Sequence, residues 1–260
     1  RLGFSDATIL DALSWMLTGD KSKRGEIEQA YNIRADVGEI AKKLKAQMAK
    51  LKATRQSLKL KKISQELKKI KPQLGTPIVP ALCQRLPSAK EIIKKMAPRQ
   101  ARGKAKVAVE PKYDGTRLQV HLKADGQIAS FTRNLENVTQ MFPDISQALK
   151  KEIKAKSVIL DGEAVGFDPK TGRLLPFQET IKRKRKYQIK TKAKEIPRNY
   201  LVFDVLYYNG QDWLQKPFSR RRELLERIIL KNKTIVLSPQ TLTDDPKKLL
   251  QYHAEQIKKG

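Results

Sequence analysis

Apolar residues recur at helical spacing throughout the first 76 residues. Ser5 or Asp6 can cap a segment that ends at Gly19, and a second short helix is predicted from Gly25 to Tyr31. The first segment carries Ile9, Leu10, Leu13, Met16 and Leu17. A longer pattern begins at Asp36 and includes Val37, Ile40, Leu44, Met48, Leu51, Leu58, Ile63, Leu67 and Ile70. The pattern predicts an all-α unit over residues 1–76, with one strongly basic side.

The periodicity changes after a proline-rich break. Residues 71–80 hold three prolines and one glycine, and no helix can pass through them. Ser88 and Glu91 form a capping box for one more helix. Alternation then predicts strands over 107–109, 118–122, 128–133, 158–167, 200–207 and 235–238, with helices near 143–156, 219–231 and 246–258. These elements predict an α+β domain of antiparallel hairpins over residues 77–260, without βαβ winding.

The charge of the chain indicates what kind of partner the protein binds. Lys and Arg number 55 against 27 Asp and Glu, which gives a formal net charge of +28. So large an imbalance repels itself and favours an anionic partner, although solubility alone also explains many surface lysines. The sequence has no apolar run long enough for a membrane span, and its first residues do not resemble a secretory signal.

Several common chemistries are excluded by missing residues. The sequence contains neither GxxxxGK[ST] nor GxGxxG, so neither glycine-rich phosphate loop is present. With only His121, His253 and Cys83, it offers no set of soft ligands for zinc and little support for a histidine-dependent triad. His121 lies on an alternating strand and is interpreted as an outward-facing polar residue.

The candidate chemistry lies where the first strand ends and the next begins. Glu110 and Lys112 are two residues apart and share a face if the backbone is extended, and Asp114 with Gly115 makes the turn. A lysine held at a tight turn beside Arg117 is in surroundings that can favour its uncharged, nucleophilic form. In isolation the signal is weak, because lysine is abundant here and Asp-Gly is an ordinary turn.

The segment KYDGTR at 112–117 resembles the first motif of the covalent nucleotidyltransferases, and its surroundings resemble the ATP-dependent DNA ligases of the replicative archaeal and eukaryotic type. Further blocks follow in the family's order at 131–139, 159–165, 175–178 with 183–187, 200–207 and 217–222. Residues 18–21 and 30–33 resemble the end of that family's helical DNA-binding domain. The resemblance implies a multi-domain protein in which the helical unit precedes an ATP-grasp-like nucleotidyltransferase domain.

The resemblance also implies roles on the phosphate side of a nucleotide site. Lys112 matches the lysine that attacks the α-phosphate of ATP, forms a lysyl-AMP phosphoramidate and releases pyrophosphate. Arg117 and Arg133 match arginines around the ribose and phosphates. Asp114 belongs to the motif and is counted with the nucleotide-binding residues. Cations and magnesium are what phosphoryl transfer from ATP requires.

On the base side, Glu110 matches the residue that recognises the adenine amino group, and Phe203 matches the aromatic that stacks on adenine. Glu163 matches a carboxylate that serves the ribose or the metal ion. Two alternatives remain: Phe203 lies in an alternating run and suits an ordinary core position, and the pair Asp161 and Glu163 suits either a metal site or a solvated edge.

A dense basic cluster lies inside one of the matched blocks, at Lys182, Arg183, Lys184, Arg185 and Lys186. Phosphates of a nucleic acid would relieve its self-repulsion, so we predict contact with nucleic acid or support of the active site. A nuclear targeting signal is the competing interpretation.

The sequence up to Gly260 has no counterpart of the family's fourth and fifth motifs or of its OB-fold domain. It is therefore expected to be a fragment, with little self-adenylation on its own. For the complete protein the resemblance implies ATP and Mg²⁺ as cofactors and nicked duplex DNA as partner, in replication, repair or recombination. It is compatible with a monomer and a sliding-clamp partner, in a prokaryotic cytoplasm or a eukaryotic nucleus.

Two other functions remain open from the sequence. One is a different covalent nucleotidyltransferase, such as an RNA ligase or a GTP-using capping enzyme, which the basic helical segment ahead of Lys112 argues against. The other is a non-catalytic nucleic-acid-binding protein with the same fold, which the intact first motif argues against.

Overall fold

The computed structural model describes residues 5–51, 55–96, 106–168, 170–175, 197–230 and 234–259. Four helices come first: α1 (Asp6–Thr18), α2 (Arg24–Ile33), α3 (Val37–Lys50) and α4 (Gln56–Lys68). The predicted caps are present. The Ser5 side chain accepts from the Thr8 N–H, the Asp36 side chain accepts from the Glu39 N–H, and Gly19 ends α1 in the left-handed conformation.

The four helices bury a common apolar core. It is formed by Leu10, Leu13, Leu17, Ile27, Ala30, Tyr31, Ile40, Leu44, Leu51, Ile63, Leu67 and Ile70. Two residues of the predicted stripe on α1 lie outside this core, since Ile9 is 36% and Met16 is 45% exposed. Within the described ranges, every helix is too short or too polar to span a lipid bilayer.

The second part of the chain is α+β, as predicted. Its helices are α5 (Ala89–Met96), α6 (Pro143–Glu152), α7 (Phe218–Ile228) and α8 (Pro246–Lys259). Its strands are β1 (Val107–Val109), β2 (Thr116–Leu122), β3 (Ile128–Thr132), β4 (Val158–Gly166), β5 (Arg198–Tyr208), β6 (Gln211–Asp212), β7 (Ile235–Leu237) and β8 (Thr241–Thr243). A short 3₁₀ helix at Thr139–Met141 precedes α6.

The main sheet has the order β3-β2-β4-β5-β6, and β7 pairs with β5. All of these pairings are antiparallel except that of β5 with β7, which is parallel and is reached through α7. The prediction of purely antiparallel hairpins was therefore wrong at this one connection. A separate two-stranded sheet pairs β1 with β8, so that Val107 lies opposite Thr243.

One face of the main sheet carries the large core of the second part. Leu118 and Val120 of β2, Leu160 of β4, and Val202 and Val205 of β5 are all buried completely. Helices α6 and α7 cover this face with Ile145, Leu149, Leu224, Leu225 and Ile228. Because side chains alternate along a strand, the intervening residues of β2, β4 and β5 lie on the opposite face. That face carries the polar residues Arg117, Gln119, Asp161 and Glu163.

Part of the opposite face is covered by the segment that joins the two parts. The side-chain amide of Gln119 donates to the Ile78 carbonyl at 3.1 Å and accepts from the Ile78 N–H at 2.7 Å. The Gly75 N–H donates to His121 Nδ1 at 3.1 Å. On the other side of the same segment, the Ala35 N–H donates to the Pro77 carbonyl and the Val79 N–H donates to the Asn32 carbonyl. The proline-rich break is thus a fixed strap rather than a loose linker.

The outward-facing interpretation of His121 was wrong for this reason. Its side chain is fully buried beneath the strap, and its Nε2 lies 3.0 Å from Gln119 Oε1. Burial lowers the pKa of His121 to about 3. The alternation of the strand assigned the correct face, but the sequence did not indicate that the strap lies over it.

Two glycines allow the central strands to approach closely. A Cβ at Gly162 would lie 2.7 Å from the Leu201 carbonyl oxygen and 2.7 Å from the ring of Tyr200. A Cβ at Gly115 would lie 2.5 Å from the Ala164 carbonyl oxygen. The Tyr200 hydroxyl is buried and donates to the Leu118 and Leu160 carbonyls, so its ring has no room to move aside.

We predict that Gly162→Ala destabilises the protein by roughly 1–3 kcal/mol, because the new methyl group meets backbone and a fixed ring. Gly25→Ala is the matched control: it lies in α2 with nothing within 4 Å of its new Cβ, and it should stabilise by about 0.5 kcal/mol. Urea unfolding of both variants measures the two free energies. Equal stability of the Gly162 variant and the wild type would contradict the close approach.

Candidate active site

The candidate site residues lie on the polar face, where β2, β4 and β5 run side by side. Arg117 of β2 is paired in register with Glu163 of β4, and Gln119 with Asp161. Glu163 is paired in turn with Leu201 of β5. The antiparallel register therefore brings the KYDGTR turn next to the predicted carboxylates of β4, although more than forty residues separate them.

An ion pair between Arg117 and Asp161 lies at the centre of this face. The guanidinium donates from Nε at 3.1 Å and from Nη2 at 2.8 Å to the two oxygens of the Asp161 carboxylate. Its Nη1 donates to the Ala81 carbonyl at 3.2 Å, and its Cζ lies 5.6 Å from the ring centroid of Phe203. Burial raises the pKa of Asp161, and the charge of Arg117 opposes that rise. Both oxygens of Asp161 are engaged by Arg117, whereas Glu163 has no side-chain hydrogen bond within the described residues.

Glu163 and Lys112 are brought together across the β2–β4 edge. Burial raises the pKa of Glu163 to about 7, and the positive charges of Lys112 and then Arg117 oppose the rise. The backbone amide of Gly115 also opposes the rise in the pKa of Glu163. Lys112 itself is exposed, so its amine is open to a ligand while its charge acts on Glu163.

Glu110 occupies a second, separate position beside this face. Burial raises its pKa to about 7; Arg222 opposes the rise and Asp204 adds to it. Its Oε1 is buried and has no hydrogen-bond partner within the described residues. The nearest cation, Nη1 of Arg222, lies 3.6 Å from that oxygen. A buried acceptor without a donor is what a ligand's N–H group would satisfy.

Phe203 is not an ordinary core residue. Its neighbours on the strand, Leu201 and Val205, are buried, whereas Phe203 is only partly buried. The register of β5 against β4 shifts between Asp161 and Gly162, and this irregularity interrupts the simple alternation. The ring of Phe203 is thereby presented next to Arg117 rather than among the residues of the main core.

The remaining predicted residues are less closely assembled. Asp114 is exposed in the turn after Lys112 and has an interaction partner. Arg133 is exposed and directly follows the last residue of β3. The predicted nucleic-acid residues Lys182, Arg183, Lys184, Arg185 and Lys186 lie outside the described residues. Their roles stay predictions.

Sequence reasoning missed the arginines of α7 as members of the site. Arg221 donates to both oxygens of Asp204, at 2.7 and 3.1 Å, and Arg222 faces Glu110. Tyr113, which follows Lys112 directly, is partly buried, and burial raises the pKa of its hydroxyl while Ser238 opposes the rise. The only signal for the arginines was their membership in the matched block at 217–222.

The arrangement fits a magnesium ion only together with a ligand. No group of three or more His, Cys, Asp or Glu in the described part of the chain is placed to hold a metal. Magnesium often binds one or two carboxylates together with substrate phosphates. Glu163 can supply one carboxylate, because Asp161 is occupied by Arg117.

Comparisons with known proteins agree with the motifs. The family model described as "ATP dependent DNA ligase domain" matches residues 80–260. Proteins named DNA ligase from Sulfophobococcus zilligii and Hyperthermus butylicus are each 41% identical over the whole chain, which covers 39% of each. The ligase domain of LigD from M. tuberculosis aligns over 58% of this chain and 45% of that one, at 23% identity and a TM-score of 0.44. The chain thus spans about two fifths of the length of these curated relatives.

We predict that Lys112→Met raises the pKa of Glu163 further above 7, because a positive charge that stabilises the carboxylate is removed. The pKa of Glu110 should stay unchanged, because Arg222 rather than Lys112 acts on it. Carbon-13 NMR titration of the glutamate carboxyls, assigned with Glu163→Gln, measures both. An unaltered Glu163 titration would show that the two side chains do not interact.

Proposed function

The chain belongs to the ATP-dependent DNA ligase family, as its motifs predicted, and we propose that the complete protein seals nicks in duplex DNA using ATP. One observation carries the proposal: an exposed lysine in the KYDGTR turn interacts electrostatically with a partly buried carboxylate, beside an aromatic ring that is not part of the core. This is the set of groups that covalent loading of a purine nucleotide onto an amine requires.

The first step joins AMP to Lys112. The unprotonated Nζ attacks the α-phosphorus, a P–N bond forms, and the bond from that phosphorus to the pyrophosphate oxygen breaks. The proton that the amine loses passes to solvent, because Lys112 is exposed. Glu163 is the residue that would hold Mg²⁺, which when bound neutralises charge on the phosphates.

Nucleotide binding divides between two sides of the site. Glu110 offers an unsatisfied acceptor to the amino group of adenine, and Phe203 offers a partly exposed ring face. Arg117 is already bonded to Asp161 and Ala81, so its main contribution is a fixed positive charge near the ribose and phosphates. Arg133 and Asp114 complete the proposed set.

The later steps need DNA. AMP moves from Lys112 to the 5′-phosphate at the nick, and the 3′-hydroxyl then displaces AMP as the strands join. The net charge of +28 favours binding to the phosphate backbone. We assign DNA contact to the helical unit at 1–76, as the end of a DNA-binding domain, and to Lys182, Arg183, Lys184, Arg185 and Lys186. Residues 77–260 form the nucleotidyltransferase part.

The rival functions make different predictions. A GTP-using capping enzyme would prefer a 6-oxo purine, whereas the ionised form of Glu110 can only accept hydrogen bonds and therefore favours an amino group. In competition for transfer to Lys112, ATP should outcompete GTP; preference for GTP would contradict the adenine assignment. A non-catalytic DNA-binding protein would attach neither nucleotide.

We predict that Lys112→Ala in the complete protein abolishes lysyl-AMP formation and nick sealing from ATP, because the only proposed nucleophile is lost. DNA binding should keep its affinity and its salt dependence, since one charge among 55 Lys and Arg is removed. Radiolabel transfer from α-labelled ATP and a nick-sealing assay measure the loss.

A nick that already carries AMP on its 5′-phosphate serves as the control for folding. The variant should still join this substrate, because the final step does not use the lysine. Sealing from ATP at the wild-type rate by Lys112→Ala would rule out the proposed mechanism.

A further inference from the structure

Arg222 is a largely buried cation beside Glu110. Its side chain is 11% exposed, and its Nη1 lies 3.6 Å from Glu110 Oε1. The guanidinium makes its hydrogen bonds elsewhere: Nη1 donates to the buried Ser238 carbonyl at 2.7 Å, and Nε donates to Glu226 at 3.0 Å. Arg222 is therefore fixed at both ends, with its charge directed at Glu110.

Arg222 places a positive charge beside Glu110 without donating a hydrogen bond to the Glu110 carboxylate. Bidentate pairs such as that of Arg221 with Asp204 engage both carboxylate oxygens, and such an acceptor has less to offer a ligand. Glu110 has no hydrogen bond among the described residues, although its Oε1 is buried. Its acceptor capacity remains available to a ligand that brings an N–H group.

We propose that Arg222 is a positioning residue for base selection: it holds Glu110 as an ionised acceptor, and so favours a 6-amino over a 6-oxo purine. This inference rests on the proposed function, in which Glu110 faces the base of the nucleotide loaded onto Lys112. The physical reason applies at the 6-position of the base: an ionised carboxylate accepts from the amino group there and repels a carbonyl oxygen, whereas a protonated carboxyl donates to that oxygen.

The surroundings of Glu110 make this choice sensitive to Arg222. Burial and the charge of Asp204 raise the pKa of Glu110, and Arg222 is the cation that lowers it, with the result near 7. Tyr113 and Tyr252 also interact with Glu110 electrostatically. Because the folded pKa is raised, the acceptor form dominates above about 7 and is lost as the pH falls through that value. Without Arg222, the transition moves to higher pH.

The test compares ATP with inosine triphosphate, which carries a carbonyl in place of the 6-amino group. The kcat/KM for nucleotide transfer to Lys112 is measured for both nucleotides with the complete protein, and the ATP:ITP ratio is taken. Any effect on the lysine or on the phosphates cancels in this ratio. The variants are Arg222→Met, Arg222→Lys, Glu110→Gln and the double variant Arg222→Met with Glu110→Gln. Arg220→Met is the matched control, since Arg220 is on the same helix but pairs with Glu223 on the surface.

We expect Arg222→Met to lower the ATP:ITP ratio by about tenfold or more at neutral pH, the effect of losing a charge-assisted hydrogen bond. The ratio should recover as the pH is raised. Arg222→Lys retains the charge and should keep most of the ratio, Arg220→Met should keep all of it, and the double variant should be no less selective than Glu110→Gln alone.

If Arg222 had only a structural role, Arg222→Met would lower kcat/KM for ATP and for ITP equally. An unchanged ATP:ITP ratio would therefore overturn the inference. The inference would also be overturned if Arg222→Met lowered the ATP:ITP ratio as much in the Glu110→Gln protein as in the unmodified protein. The unmodified protein gives a measurement that needs no substitution, since its ratio must fall as the pH is lowered through about 7. A pH-independent ratio also overturns it. Absence of any nucleotide on Lys112 of the unmodified protein would instead contradict the proposed function.

Discussion

The pairing of β2 with β4 is the constraint on which the rest of the site depends. Gly115 and Gly162 have no side chains, and this absence lets the KYDGTR turn and β5 approach β4 to within van der Waals contact. The register then follows from burial: a slip by one residue would move Leu118, Val120 and Leu160 out of the core and bring Arg117 and Asp161 into it. Burial of the apolar face thus fixes the register of β2 against β4, and this register places Glu163 near Lys112.

Two acidic residues of the polar face, Asp161 and Asp204, are each paired with an arginine. Asp161 has Arg117 and Asp204 has Arg221, and in both pairs two hydrogen bonds engage the carboxylate. Glu110 and Glu163 differ because each has a cation nearby and, in the described part of the chain, no side-chain donor bonded to it. Burial then raises the pKa values of both carboxyls to about 7, so both change protonation state near neutral pH. The two groups that remain available to chemistry are the two that the fold leaves incompletely paired.

Much of this arrangement was predictable because it is local. The caps at Ser5 and Asp36, the strands and the helices of the second part follow from residues close in sequence. The burial of His121, the parallel β5–β7 pair and the contact between Glu110 and Arg222 were not predictable. Each depends on a segment distant in the chain: the strap at 71–80, the return through α7, and a helix more than a hundred residues after Glu110. Periodicity reports which face a residue occupies, and it does not report what covers that face.

The three successive arginines of α7 show why a basic run has no single meaning. Successive residues on a helix are turned by about 100°, so neighbours in sequence face different surroundings. Arg220 pairs with Glu223 at the surface, Arg221 with Asp204, and Arg222 faces Glu110. In the sequence the three contribute equally to the charge that favours a polyanionic partner, yet two of them serve carboxylates inside the fold. The net charge of a chain therefore indicates the class of partner. Which lysines and arginines can contact that partner depends on which of them already pair with carboxylates in the fold.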